Sequence, residues 1–496
     1  MEGIQVNTSA LIIVVVYLVA MLVVGWLVGK LKIKNSKDYM VAGRRMGLFM
    51  VAFSLSANNI GGGSTTGLAQ KAFGSWGMSA IWYVLAASIA MIPLAFFAPK
   101  IRKTMALTIP EVVGRRFGKF ASTFTAVLNI LALFCLTSSQ IGASGIVINA
   151  LTGIPQNVCL LIAGIVIILY TTLGGMIADQ ISDLVQFIIV LVGLFITYIF
   201  VIKGIGGWHV LSEKLPPVQM SFTKIGWVTI IGYIFNYFCT FLSGPEMVSR
   251  FESAKDENTA KMASFVSAIL MAAMAFFPTA LGLAALAMKD ELPLLAANGG
   301  NSLMVVTNHF APAIITGLVS AAIISATMSS ADSNLLCMST MIINDIFFVY
   351  SNKKLTEKQT VKYTRLCNVI CCVVAMLVSL LKISLVTMNT FAFAIRCAGP
   401  FAAYGLGLVI KKCTKNAGII SIITGTIGVI VWQILSGGNF YLGILPVVFG
   451  CAVSAITFFI VNAIELKLGK PVAQDAYLSE AEVQRLVAEE EESHNS

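Results

Sequence analysis

Ser54-Leu55-Ser56-Ala57-Asn58-Asn59-Ile60-Gly61-Gly62-Gly63-Ser64-Thr65-Thr66-Gly67 interrupts a segment that is otherwise apolar enough to cross a membrane. Each glycine in a helix interior costs roughly 1 kcal/mol against alanine, so three in succession predict a break. Non-helical backbone at membrane depth is tolerated only where protein buries it or where it lines a polar cavity. A helix broken there, with Asn and Ser at the break, offers bare peptide groups to a solute or an ion. Small residues also serve close helix packing, but three glycines beside two asparagines exceed what packing needs.

The surrounding composition fits a membrane. Hydrophobic residues make up 57% of the chain and charged residues 11%, where a soluble protein is nearer 25% charged. Apolar runs of about 20 residues recur from end to end. About thirteen spans are read, at 9–29, 46–70, 77–98, 121–149, 157–173, 183–202, 226–245, 262–287, 311–344, 366–381, 389–410, 417–435 and 442–464. The net charge of +10 follows the membrane and does not indicate nucleic acid. Clusters at Lys30–Arg45, Lys100–Lys119, Arg250–Lys261, Lys353–Arg365 and Lys411–Lys415 all fall on one side if the spans alternate. The other side carries only scattered Lys71, Lys203, Lys214, Lys224, Lys289 and Lys382. The positive-inside rule then puts the N-terminus outside and the C-terminus in the cytoplasm, in a multi-pass protein of the plasma (inner) membrane. The first span lacks the basic start of a signal peptide and reads as a mature helix.

Ten cysteines lie in or beside apolar segments without metal-type spacing and read as small buried apolar residues. His209, His309 and His494 fall in expected loops or the tail, so neither a metal centre nor a His-based catalytic site is indicated. The stretch Gln474–Ser496 is acidic and reads as a solvated, partly disordered tail, although Ser479-Glu480-Ala481-Glu482 could open a short helix.

Polar residues inside spans are expensive in lipid and so are candidates for function. Ala326, Ser329, Ser330 and Ser333 share one helix face by their i, i+3, i+4, i+7 spacing. That face offers oxygen ligands of the kind small hard cations take, although serine can also bond its own preceding turn. Gly174-Gly175 breaks between two spans, and Asp179, Asp183 and Gln186 open the next; Asp179 suits a helix start, while Asp183 lies further in. Arg396 sits deep in its span, to pair with an acid or to hold a substrate carboxylate.

Together these motifs resemble the sodium:solute symporter family, over roughly residues 10–465. The resemblance is carried by Asp38-Tyr39-Met40-Val41-Ala42-Gly43-Arg44, the broken second span, Tyr170–Gln186, Ser249-Arg250-Phe251 with Ala254-Lys255-Asp256, and Ala326–Asp345. It implies an all-α, leucine-transporter-type fold of two inverted five-helix repeats, formed by spans two to six and seven to eleven. The organisation expected is an N-terminal helix and loop (1–45), a first repeat (46–205), a second within 206–435, a C-terminal helix (436–466) and an acidic tail (467–496).

It also implies a sodium site made by carbonyls of Ala57, Ile60 and Ala326 and hydroxyls of Ser329 and Ser330, with Asp183 along the sodium exit route. Asp332 replaces a serine that in some relatives helps form a second sodium site with the next serine and the Asp183 equivalent. Asp183, Asp332 and Ser333 are therefore candidates for a second ion or a proton. Candidate substrate contacts are Asn58, Asn59, Ser64, Gln140, Tyr237 and Arg396, and Arg396 tilts the reading toward a carboxylate. A choline-like cation is the alternative, but no Trp adjoins the glycine run; Trp76, Trp82 and Tyr83 come later.

The function expected is sodium-coupled uptake of a small organic solute by alternating access, with sodium as a co-transported ion and no other cofactor. A channel, a membrane enzyme and a transporter-like sensor are the weaker classes.

Overall fold

The computed structural model describes residues 8–293, 295, 301–351, 355–381, 385–437, 441 and 443–495. Lys353, Lys354 and Lys382 of the charge pattern lie outside the described residues. The architecture is all-helical. Its principal helices are α1 (Thr8–Lys32), α2 (Leu48–Asn59), α3 (Thr66–Lys71), α4 (Trp82–Lys103), α5 (Ile109–Phe117), α6 (Lys119–Thr152), α7 (Gln156–Ile205) and α8 (Trp227–Leu242). They continue with α9 (Pro245–Ser253), α10 (Glu257–Ala287), α11 (Ala313–Met341), α12 (Glu357–Ser379), α13 (Leu385–Ala398), α14 (Lys415–Ser436), α15 (Pro446–Lys467) and α16 (Glu480–Asn495).

Among the described residues, nine helices are long and apolar enough to cross a membrane, or ten if the bent pair α8–α9 counts as one span. The other expected spans coincide with short or bent helices: α2, the first limb of α7, and α13. Two of these short helices carry candidates, Asn58 and Asn59 at the end of α2 and Arg396 on α13, and a break such as that after α2 frees backbone groups.

The centre of the bundle is α11. Every residue from Val319 through Met341 is buried, polar and apolar alike. It packs against α6, α7 and α1, while α10 packs against α4 and α2. A helix with no lipid-facing side can carry Ser, Thr and Asp, because neighbouring helices supply partners.

Two local features position the site. The glycine run does not need unusual dihedrals so much as space: a Cβ on Gly61 would stand 3.0 Å from the Gln140 amide and 3.1 Å from Ser330 Oγ. One on Gly62 would stand 2.8 Å from Ala143 Cβ. The second feature is Gly175, where φ is +55° and ψ −167° inside the 50-residue α7. This conformation favours glycine, and the Tyr39 ring lies 2.6 Å from where a Cβ would be.

Some expectations change. His209 and His309 lie on short helices, Trp208–Lys214 and Ser302–Phe310, rather than in loops. The tail forms α16, and Ser479 and Glu482 bond reciprocally at its start, with Ser479 N donating to Glu482 at 2.9 Å and Glu482 N to Ser479 Oγ at 3.4 Å. Such a capping box satisfies two orphan backbone donors at once.

Candidate functional site

Helix α2 ends at Asn59 and the chain turns through Ile60–Thr65 before α3. The serine face of α11 meets this end directly. Ser330 Oγ donates to the Asn58 carbonyl at 2.9 Å and also lies 3.2 Å from the Ala326 carbonyl. Ser329 donates to Asp183 Oδ1. Ala57, Ile60, Ala326 and Ser329 are all buried. Ser330 thus joins α11 to the end of α2 between Ala57 and Ile60, whereas the Ser329 hydroxyl is turned to Asp183 of α7.

Below that junction lies a dense polar network. Arg250, from α9, is fully buried and 3.0 Å from both Asp179 Oδ2 and Asp183 Oδ2. Its guanidinium also donates to Ser54 Oγ at 2.8 Å, to the Glu246 carbonyl at 2.9 Å, and to Ser333. Ser54 donates to Asp183 at 2.5 Å, and Ser333 reaches Asp179 at 3.1 Å. Four helices (α2, α7, α9 and α11) are tied by these bonds. Removing one partner from a buried ion pair costs about 3–5 kcal/mol, so the network is strongly interdependent.

Arg250 belongs to a basic cluster expected in a loop, and Asp179 is suited to a helix start. Both are instead inside the bundle, facing each other. Arg44 and Arg116, also counted as loop charges, are likewise buried, and Arg44 donates to the Met105 and Ala106 carbonyls at 2.8 and 3.1 Å. A signal for Arg250 exists: Glu246 and Arg250 lie one turn apart on a short helix that Pro245 opens.

Asp332 stands apart from Asp183 and Ser333. It accepts from Thr171, and its Oδ2 has no partner among the described residues. Ser333 bonds toward Asp179 instead, so the neighbouring Asp332 and Ser333 of α11 take different partners, and Asp183 of α7 bonds neither of them.

All six expected substrate contacts line one small cavity of about 70 Å³: Asn58, Asn59, Ser64, Gln140, Tyr237 and Arg396. Ser64 donates to the Asn59 carbonyl at 2.9 Å and closes the turn. Arg396 pairs with Glu246 at 2.5 Å, both buried, so its charge is balanced inside the bundle. Arg396 Nε and Glu246 Oε2 have no partner among the described residues. Glu246 is the acid the sequence reading left unnamed, and it too lines the cavity.

The small cavity adjoins a larger one of about 1020 Å³, with Gly63, Tyr83, Gln140, Tyr237, Asn389 and Phe393 lining both. The larger cavity reaches the surface, where Gln70, Gly74, Ser75 and Gln156 are exposed. Its wall carries an aromatic cluster that chain order concealed. Trp76 and Tyr233 centroids are 5.7 Å apart, Tyr83 and Tyr233 6.0 Å, and Tyr83 and Tyr237 5.9 Å. Trp82 packs elsewhere, on Trp227. The Lys71 ammonium lies over the Trp76 ring at 4.1 Å and within 5.3 Å of the Tyr83 centroid.

Behind this wall the thiols of Cys239, Cys397 and Cys451 converge within 4.8 Å of one another. Sequence spacing gave no hint of this, because the three come from α8, α13 and α15. Their shell of Ala394, Ala398, Val429 and Val447 is one in which thiols pack as small apolar groups.

A model of the sodium:solute symporter family matches residues 39–425. The osmoregulated proline transporter OpuE of Bacillus subtilis is 27% identical over 92% of this chain and 94% of its own length. A sodium/proline symporter of Staphylococcus aureus is 24% identical over 96% of each chain. Among solved structures, a substrate-bound, outward-open sodium-coupled sialic acid symporter superposes with a TM-score of 0.81 at 21% identity, over 94% of this chain and 99% of that one. Mhp1, a nucleobase-cation-symport-1 transporter in a closed conformation, gives 0.58 at 16% identity over 91% of this chain and 98% of that one. The fold is that of these leucine-transporter-type symporters.

Proposed function

The chain belongs to the sodium:solute symporter family and is a sodium-coupled solute symporter, not an enzyme; from that premise we propose that it takes up a small carboxylate-bearing solute by alternating access. The observation that carries the reading is the Ser330–Asn58 bond, which joins the serine face to the broken helix where the solute cavity begins. Sodium held by the Ala57, Ile60 and Ala326 carbonyls and the Ser329 and Ser330 hydroxyls would fix α2 against α11. A solute resting on Asn58, Asn59 and Ser64 would feel that order. Coupling of this kind is reciprocal: each ligand raises the affinity for the other.

The proposed topology is thirteen spans, the N-terminus outside and the C-terminus in the cytoplasm of the plasma membrane, with repeats over 46–205 and within 206–435. The Arg250–Asp179–Asp183 network then closes the cytoplasmic side, and the larger cavity faces outward. Inward movement of sodium is driven by its gradient and by about 2.3 kcal/mol per charge per 100 mV. Arg396 meets the solute carboxylate through the side not engaged by Glu246. Proline and sialic acid, named for the relatives, both carry carboxylates.

The test is thermal unfolding of the detergent-purified protein with small carboxylates, amino acids, sugars and amines, each in sodium and in potassium. A ligand of the folded state raises its apparent stability. Stabilisation that requires sodium supports the coupled site, and equal stabilisation in both salts argues against it. Arg396→Gln should weaken a carboxylate far more than a neutral solute; equal effects would count against a carboxylate contact.

A second reading rests on the unpartnered Asp332 Oδ2. Asp332 carries a proton or a second ion, with Asp183 and Ser333 serving sodium release. Uptake by Asp332→Asn measured across pH separates the two: a flattened pH profile assigns the proton there.

A further inference from the structure

We propose that Lys71 is an outer capture site for an anionic group of the solute, so that the class carried is small organic anions. This deepens the carboxylate reading above and rests on it. Among the described residues lining the 1020 Å³ cavity, Lys71 is the one charged side chain, and none is an acid. The deeper Arg396–Glu246 pair balances itself. No ion pair with Lys71 exists among the described residues; its ammonium rests instead on the Trp76 and Tyr83 rings.

That distinction matters physically. An acid would cancel the charge of Lys71, whereas a ring face attracts the ammonium through its quadrupole and leaves the net charge in place. The mouth of the cavity is therefore electropositive, and a cleft with low-dielectric walls focuses such a field and concentrates ions of opposite sign. The same arrangement disfavours a quaternary amine. The rings that would cage such a cation are already against an ammonium, and Lys71 repels the newcomer.

The position also links capture to the break. Lys71 is the last residue of α3, and α3 is tied to the glycine run by Gly67 N donating to the Gly62 carbonyl at 2.9 Å and Thr66 Oγ1 donating to it at 2.9 Å. Gln70, Asn149 and Asn236 add uncharged amides to the same wall. An anion received at Lys71 is thus held by the short helix that begins at the proposed solute and sodium junction.

The experiment uses the full-length purified protein and measures thermal stabilisation by acetate, pyruvate, nicotinate and benzoate, with proline as a zwitterionic probe and choline as a cationic one. Each is titrated in sodium and in potassium, at low and high ionic strength. The expected result is sodium-dependent stabilisation by at least one monocarboxylate and none by choline. Lys71→Gln should weaken that monocarboxylate roughly five- to tenfold and remove most of its ionic-strength dependence, and Lys71→Arg should restore both. Stabilisation of Lys71→Gln by sodium alone, equal to that of the unaltered protein, shows that the variant is folded. Stabilisation confined to proline or choline, no stabilisation by any carboxylate, or carboxylate stabilisation indifferent to Lys71→Gln overturns the inference. Failure of the sodium-coupled reading looks different: carboxylates would then stabilise equally in both salts, whatever residue stands at position 71.

Discussion

The two ends of the polar pathway through this bundle are built on opposite principles. At one end Arg250 faces two carboxylates and two serines from three other helices, all within direct hydrogen-bonding reach and buried. At the other, a single ammonium lies on aromatic faces beside a cavity of about 1020 Å³. The first end spends its polar groups on cross-links between helices, so it closes. The second leaves its cation uncompensated, so it stays open and electrically asymmetric. On the proposed reading, opposite charges brought together hold a gate and a charge held apart from acids draws a ligand.

Arg250→Gln should break the comparison most severely. It strands Asp179 and Asp183 against each other without a cation, at a cost of about 3–5 kcal/mol. The expected outcome is uptake reduced by more than about tenfold and a lower unfolding midpoint, with Asp179→Asn added to the variant recovering part of the midpoint. An Arg250→Gln protein with unchanged unfolding and uptake would show that the closed end is not held by this charge.

Next in size are Ser329→Ala and Ser330→Ala. Each removes a hydroxyl at the α2–α11 junction, a loss of about 1 kcal/mol or more where the partner is charged. The sodium concentration for half-maximal uptake should rise roughly three- to tenfold while expression is unchanged. If neither substitution moves it, the junction is ordinary packing.

Asp332→Asn sharpens the comparison by asking whether a third polar point operates between the two ends. Uptake at its pH optimum should change by about twofold or less, because Asn can still accept from Thr171, while the pH profile flattens. Trp76→Leu should have the smallest effect. It removes one ring from beneath Lys71, worth about 0.5–1 kcal/mol, so the solute KM should rise roughly two- to fivefold with the maximal rate unchanged. A fall in maximal rate instead would place Trp76 in the moving parts of the cycle rather than at the mouth.

Sequence made the junction between these two ends far more legible than either end. The glycine run and the serine face announce themselves because periodicity and helix propensity are local. Ser329, Ser330 and Ala326 could be assigned to one face from spacing alone, and the structure puts that face on the broken end of α2. Arg250 was hidden by a correct rule. It lies within a basic cluster that follows the positive-inside pattern, and its one local signal, Glu246 a turn before it on a helix opened by Pro245, does not by itself tell a solvated arginine from a buried one. Arg44 and Arg116 were hidden in the same way. The aromatic wall was missed for another reason: Trp76 and Tyr83 reach Tyr233 and Tyr237 only because the chain turns at Gly74 and at Gly77, where φ is +57°. The partner of Arg396 is Glu246, 150 positions away, a pairing that local sequence does not signal.

The bend at Gly175 also bears on how the chain is made. Helix α7 runs for 50 residues with one non-helical residue, Gly175, at its kink; straight, it would be about 75 Å long, against a hydrocarbon core of about 30 Å. No polar loop separates its limbs, so an insertion machinery fed from a ribosome receives no stretch to hand to water between them. The two limbs are expected to enter the bilayer together as a hairpin, with Asp179 and Asp183 carried in on the second limb ahead of Arg250, which is synthesised later. During that interval the two carboxylates have no cation. The order of synthesis thus sets a brief window in which the nascent protein must protonate or hydrate them, while a side chain larger than hydrogen at position 175 would clash with the Tyr39 ring at the bend.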